Sequence, residues 1–148
     1  MKLRNNLIQN VLELHHRVGY KHPSKTTLGS KARRNFWMMA IDEEISELRN
    51  AILQNDTVGV ADAIGDAVYV LLGASLAFGI PFEQVFQEIH EANMTKDVIY
   101  VEGVGKNEME KKLVKGELYS PPNIAAILAD YCDPQHESNQ IQNKNNEV

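Results

Sequence analysis

The chain has 148 residues, with 15 Lys and Arg against 20 Asp and Glu, a formal net charge of −5, and a single cysteine, Cys132. That length is enough to bury a core without cross-links. One cysteine excludes a disulfide framework or a four-thiolate zinc site, and it fits a reducing compartment. The acidic balance argues against a surface for long nucleic acid or anionic membrane. No uninterrupted apolar run has the length of a membrane span, and the opening MKLRNNLIQN lacks a signal-peptide core.

Apolar residues at Leu3, Leu7, Val11, Leu14 and Val18 predict a first helix, Leu3 to Val18, ended by Gly19. The segment YKHPSKTTLGS, Tyr20 to Ser30, reads as a loop from its Pro, Gly and Ser/Thr content. A second helix is expected from Lys31 to Gln54, with Met38, Ile41, Ile45, Leu48 and Ile52 at helical spacing. Asn55-Asp56-Thr57 breaks it, and Asp56 or Thr57 can cap a third helix, Thr57 to Phe78, closed by Gly79-Ile80-Pro81. A fourth runs from Phe82 to Met94. Beyond Lys96 the periodicity weakens: Val98 to Val104 reads as a short extended piece or a loop, and Pro121-Pro122 opens a last short helix through Asp130. From Asp133 the polar, Asn/Gln-rich tail is expected to be disordered. The expected fold is an all-α antiparallel helix bundle with a partly irregular C-terminal arm, one domain over residues 1–132 and a tail over 133–148.

The acids are not scattered. Glu43, Glu44 and Glu47 form an EExxE string within about 100° of one helix face. Asp62 and Asp66 stand at i and i+4 on the next helix. The midpoint between the two groups falls in the Gln54-Asn55 break, so an antiparallel hairpin brings both to the same height. An EExxE string by itself is usually a solvated helix face. The third helix is different, because Asp62 and Asp66 are its only charged side chains and apolar or small residues cover its other faces. A helix apolar all round is expected to be buried, which would put these aspartates inside an assembly. Buried carboxylates repel one another unless protonated or neutralised by cations, and that helix carries no basic residue. All-oxygen ligation suits Mg²⁺ or Mn²⁺, two or more per site, and metals of this kind engage phosphates. A structural ion or an acidic solvent channel are the other readings of the same residues.

A phosphate ligand also needs protein cations. Asn93 and Lys96 are three apart at the end of the fourth helix; Lys106, Lys111, Lys112 and Lys115 follow, ahead of Tyr119, and Lys31, Arg33 and Arg34 open the second helix. Any one of these cations is more often a plain surface charge, while the Asn93 and Lys96 pair, next to a Gly/Lys-rich arm, stands evenly between that reading and a phosphate contact. Trp37 and Tyr69 are candidates for stacking on a base, although aromatic residues at helical spacing are more often core. His15 and His16 have no partner pattern and read as structural or solvent-facing. No GxxxxGK[ST] loop and no Ser or Cys nucleophile motif occurs.

The ordered segments LELHHRVG, IDEEISEL, DAIGDAVYVLLGASLAFGI, FQEIHEANMTK and KGELYSPPNI resemble the MazG-like all-α nucleoside triphosphate pyrophosphohydrolases, a superfamily that includes phosphoribosyl-ATP pyrophosphohydrolase and all-α dUTPases. The likeness looks closest to short, single-domain members, phage-borne ones among them. It implies a MazG-like four-helix core and hydrolysis of a nucleoside triphosphate to the monophosphate and pyrophosphate with Mg²⁺ or Mn²⁺. Carried over, Glu44, Glu47 and Asp66 would be metal ligands and Glu43 a ligand or the base that activates water. Asn93 and Lys96 would meet phosphate or sugar, joined by Lys112, Lys115 and Tyr119 from the arm. The family's second motif is ExxD, and aligning Asp66 with its Asp leaves Ala63 where Glu is expected, with Asp62 as the substitute. The resemblance further implies a homo-oligomer, dimer or tetramer. By analogy it points to a deoxynucleotide, for instance a purine such as dGTP. Phosphoribosyl-ATP is the alternative substrate, and a non-catalytic helical scaffold holding structural Mg²⁺ is the alternative from another class.

Overall fold

The computed structural model describes residues 6–102 and 109–131. Leu3, Val104, Lys106, Cys132 and the tail over 133–148 lie outside them. The fold is all-α: α1 (Leu7–Arg17), α2 (Lys31–Leu53), α3 (Thr57–Ala77), α4 (Phe82–Met94) and α5 (Ile124–Asp130), with one small hairpin of β1 (Asp97–Glu102) and β2 (Met109–Val114). The chain divides into two compact units, one running to Phe82 and taking in Tyr131, the other spanning Glu83–Asp130.

In the first unit, each helix is started by a short polar side chain. Asn6, Ser30 and Asp56 accept from the backbone N–H of Ile8, Arg33 and Gly59 respectively, each satisfying a donor the helix leaves free. All three helices end alike. The N–H groups of Tyr20, Asp56 and Ile80 reach back to the carbonyls of His15, Ala51 and Ser75, the Schellman pattern, which needs a left-handed residue just before the returning donor. Gly19 and Gly79 supply it at two ends, and Asn55, at φ 53°, at the third. That Asn55 turn is what folds α3 back on α2.

The register of the hairpin can be followed along its length. Next to the turn, a Cβ built on Gly59 would lie 3.2 Å from Ala51 Cβ. One heptad further on each helix, Glu44 and Asp66 act on each other through their charges. Another heptad on, a Cβ built on Gly73 would lie 2.8 Å from Trp37 Cη2. At the far end, Arg33 Nη1 donates to the Ala77 carbonyl at 3.2 Å. The seam is closed by small residues: Ala63, Ala67, Gly73, Ala74 and Ala77 are buried, and Trp37 packs with Ala74 and Ala77 against Tyr20, Ile41, Val70 and Phe78.

Within the single chain, this packing buries only one face of α3; the expectation that the rest is covered concerns an assembly of copies. Ile64, Val68, Leu71, Asp62 and Asp66 are exposed in the chain. Small residues let two helix axes approach closely, so the alanine and glycine face turns inward and the larger aliphatic side chains turn out. α3 also has the length and composition of a membrane-crossing helix, contrary to the run-length reading. A core helix passes the same test, and α3 packs against both α1 and α2.

In the second unit, β1 and β2 pair antiparallel from Asp97 opposite Val114 to Glu102 opposite Met109. Strand β2 has no counterpart in the sequence reading. The arm returns to α4 twice: the Ser120 N–H donates to Thr95 Oγ1 and the Asn123 N–H to Glu88 Oε1. Pro121-Pro122 precede α5 and do not form its first turn; Asn123 caps it, its Oδ1 accepting from the Ala126 N–H.

Candidate active site

Helix α2 carries Glu43, Glu44 and Glu47, and α3 carries Asp62 and Asp66, on stretches that face each other across the heptad seam. Glu44 is half-buried, while the other four are exposed. Partial burial first, then the charges of Asp66, Glu47, Glu43 and Asp62, hold the Glu44 carboxyl above the usual carboxylate range. Every charge acting on Glu44 in this way is another carboxylate. The five acids picked out in the sequence are therefore one electrostatic group built from two helices, with Glu44 at its centre.

Ala63 is 4% exposed. A glutamate there would drive its carboxylate into the seam, whereas Asp62, one residue earlier, projects to the exposed side and reaches Glu44 through its charge. The DxxxD form thus keeps two carboxylates on the acidic side. Among the described residues, no three Asp, Glu, His or Cys side chains stand close enough together, in their present rotamers, to grip one ion. The backbone register sets the five near one another, and the long, exposed Glu43 and Glu47 side chains have the rotational freedom to close on a cation. An all-carboxylate set on whose centre no cation acts among the described residues is chemically what a hard divalent ion takes.

Of the candidate cations, Lys31, Arg33 and Arg34 open α2 in the first unit, while Lys96, Lys111, Lys112 and Lys115 belong to the second. Lys96 Nζ lies 6.0 Å and Lys115 Nζ 5.1 Å from the centroid of the Tyr119 ring, so one aromatic ring gathers two ammonium groups. The Asp97 carboxylate lies directly over Gly116, where any side chain would collide with it. Asn93 is half-buried, and its carbonyl accepts from the Lys96 N–H. Lys112 sits opposite Ile99, whereas Lys111 pairs with Tyr100 and holds its Nζ 5.8 Å from that ring. Adjacent strand residues point to opposite faces, so Lys111 and Lys112 diverge.

Two aromatic candidates separate. Tyr69 is exposed on α3. Trp37 is 6% exposed and wedged into the core, with the His15 ring 6.0 Å and the Tyr20 ring 6.2 Å away. That corrects its reading as a platform for a base, because its surfaces are already covered. His15 is buried and His16 exposed. The bond from His15 to His22, absent from the sequence reading, is signalled only by His15 sharing one helix face with buried Val11.

A model of the phosphoribosyl-ATP pyrophosphohydrolase family matches residues 11–93, which take in α2, α3 and all five acids. No curated protein matches the chain.

Proposed function

The chain belongs to the phosphoribosyl-ATP pyrophosphohydrolase family, and from that premise we propose that it hydrolyses a deoxynucleoside triphosphate to the monophosphate and pyrophosphate with Mg²⁺ or Mn²⁺. Family membership makes it a MazG-like pyrophosphohydrolase acting on a nucleotide. The observation that supports the metal-dependent part of this reading is the grouping of Glu43, Glu44, Glu47, Asp62 and Asp66 on facing stretches of α2 and α3, with the Glu44 carboxyl raised by the others. Cations among its members would relieve the mutual repulsion of such a group.

Glu44, Glu47, Asp62 and Asp66 would hold the metal, two or more ions in all, which when bound supplies Lewis-acid stabilisation of phosphoryl charge. Glu43, exposed at the edge of the group, is suited to take a proton from the attacking water. Lys96 and Lys115, gathered on Tyr119, would meet phosphate oxygens, with Asn93 and Lys112 contributing to phosphate or sugar and Tyr69 to the base. The protein would act as a short, single-domain enzyme of the phage-borne kind in the cytoplasm, without long nucleic acid or membrane as partner. It would act as a homo-oligomer, dimer or tetramer, in which the outward row Ile64, Val68 and Leu71 on α3 is covered by a second copy.

Phosphoribosyl-ATP is the second reading, favoured by the substrate in the family's own name. One assay separates the two: pyrophosphate release from each dNTP, each NTP and phosphoribosyl-ATP with Mg²⁺ or Mn²⁺, beside a Glu47→Gln control. Turnover of a deoxynucleotide, dGTP for instance, above the others supports the proposal, and turnover confined to phosphoribosyl-ATP replaces it with the second reading. No turnover on any substrate leaves only a scaffold that holds ions. Undiminished turnover by Glu47→Gln rejects the assignment of the acids.

A further inference from the structure

The segment between α1 and α2 is tied down at both ends of its course. Near its start, His22 Nε2 lies 2.8 Å from His15 Nδ1, and the two rings stack at 5.1 Å and 15°. Further along, Thr26 Oγ1 donates to the Gly79 carbonyl at 2.7 Å and the Thr27 N–H to the Phe78 carbonyl at 2.9 Å, both at the end of α3. His15 itself is 7% exposed, its ring forming a triangle with those of Tyr20, at 4.9 Å, and Trp37, at 6.0 Å. Its Nε2 faces Gly73, where an added Cβ would stand 3.3 Å away.

A hydrogen bond between two imidazole nitrogens needs one lone pair. With neither or one ring protonated the bond persists, but with both protonated two N–H groups confront each other and it cannot form. We propose that the His15–His22 pair is a proton-operated latch, which fastens the Tyr20–Ser30 segment across α1 and α3 and opens when both rings are charged.

The surroundings of His15 disfavour its charged form. On α1 the neighbouring ring is His16; on the segment itself stand Tyr20 and His22; α2 contributes Trp37 and, over the Tyr20 ring at 5.7 Å, Arg33; α3 contributes Gly73. No carboxylate figures among the charges that bear on His15, and burial first, then His16, hold it below the ordinary value of 6.5. A histidine lowered in this way is neutral in the folded state and takes up its proton more readily when unfolded. Its contribution is therefore fully present above 6.5 and is lost as pH falls through the lower folded value. The two rings titrate as a pair, and the second proton is the one that opens the latch.

Trp37 is the only tryptophan and stands beside the pair, so its fluorescence reports on this place alone. The test follows two signals in the full chain between pH 8 and pH 5: Trp37 emission, and hydrogen exchange of the Thr27 amide corrected for its intrinsic pH dependence. The expected result is quenching of Trp37 with a midpoint below 6.5, and in step with it a loss of about tenfold or more in Thr27 protection, the sign of local opening. His22→Gln keeps a hydrogen-bonding side chain that cannot charge, and it should hold Thr27 protected across the range; His16→Gln should leave the loss in place. Undiminished Thr27 protection at pH 5, or the same loss in His22→Gln, overturns the proposal. Should His22→Gln fail to fold, ring ¹⁵N shifts of the unmodified chain decide: Thr27 protection must fall with the second protonation of the pair, and a fall at any other point refutes the latch.

Discussion

Trp37 fills the space that any side chain on Gly73 would need: a Cβ there would lie 2.8 Å from Cη2 and 3.0 Å from Cζ3 of the indole. This contact sets how closely α2 and α3 approach at one end of their seam, while the acids sit one heptad nearer the turn. Gly73→Ala should therefore destabilise the fold by about 1–3 kcal/mol, the usual cost of overpacking. Chemical denaturation would measure it. The buried Trp37 Nε1 has no acceptor among the described residues, so Trp37→Phe relieves an unsatisfied donor as well as the crowding. In the Gly73→Ala background it should recover part of the loss, and strict additivity of the two changes would contradict direct contact.

Glu44 gives a pH signature of opposite sign to that of the histidine pair. Its folded carboxyl is raised above the ordinary 4.5, by partial burial and by Asp66, Glu47, Glu43 and Asp62. Its contribution is therefore fully present below that value and is lost as pH rises through the elevated one. Glu44→Gln, which cannot charge, should raise Tm at pH 7.5 and change it little at pH 4. A Tm scan of the two proteins against pH checks this.

Divalent cations should act on the same charges. Mg²⁺ or Mn²⁺ binding the folded state alone raises Tm as its concentration exceeds Kd. The rise should shrink in Glu47→Gln, Asp62→Asn and Asp66→Asn, read by thermal shift with no nucleotide present. In the pyrophosphate assay Glu47→Gln should lose roughly a hundredfold in turnover or more, the equivalent of a few kcal/mol of lost charge stabilisation.

The outward row Ile64, Val68 and Leu71 provides a test of assembly. Leu71 is 47% exposed in the chain, so Leu71→Glu places a charge where the folded chain tolerates it and an interface between copies does not. Light scattering should show the unmodified chain as a dimer or tetramer and Leu71→Glu as a monomer with intact helical circular dichroism. A monomeric unmodified chain at micromolar concentration would remove the oligomer from the proposal.

Much of the first unit was legible in the sequence. The helical spacing of α2 and α3 and the break at Asn55 sufficed to set Glu44 level with Asp66, because a short turn leaves an antiparallel pair little choice of register. The outward turn of α3 was not legible. Counting apolar residues gives Ala67 the same standing as Val68, yet close packing selects the smaller one for the seam. Trp37 was open between core and ligand until its heptad partner proved to be a glycine. The hairpin of β1 and β2 left little trace, since Tyr100, Lys111, Lys112 and Leu113 are all exposed and no buried face imposes an alternating pattern on it.

The Asn55 turn also bears on how the chain folds. It joins α2 to α3 through a very short loop, and contacts between neighbours in sequence form early because little chain entropy opposes them. A hairpin that closes early closes on five like charges, with the rest of the framework still to form. Acid or a divalent cation, by quenching that repulsion, would then quicken folding as well as steadying the finished protein.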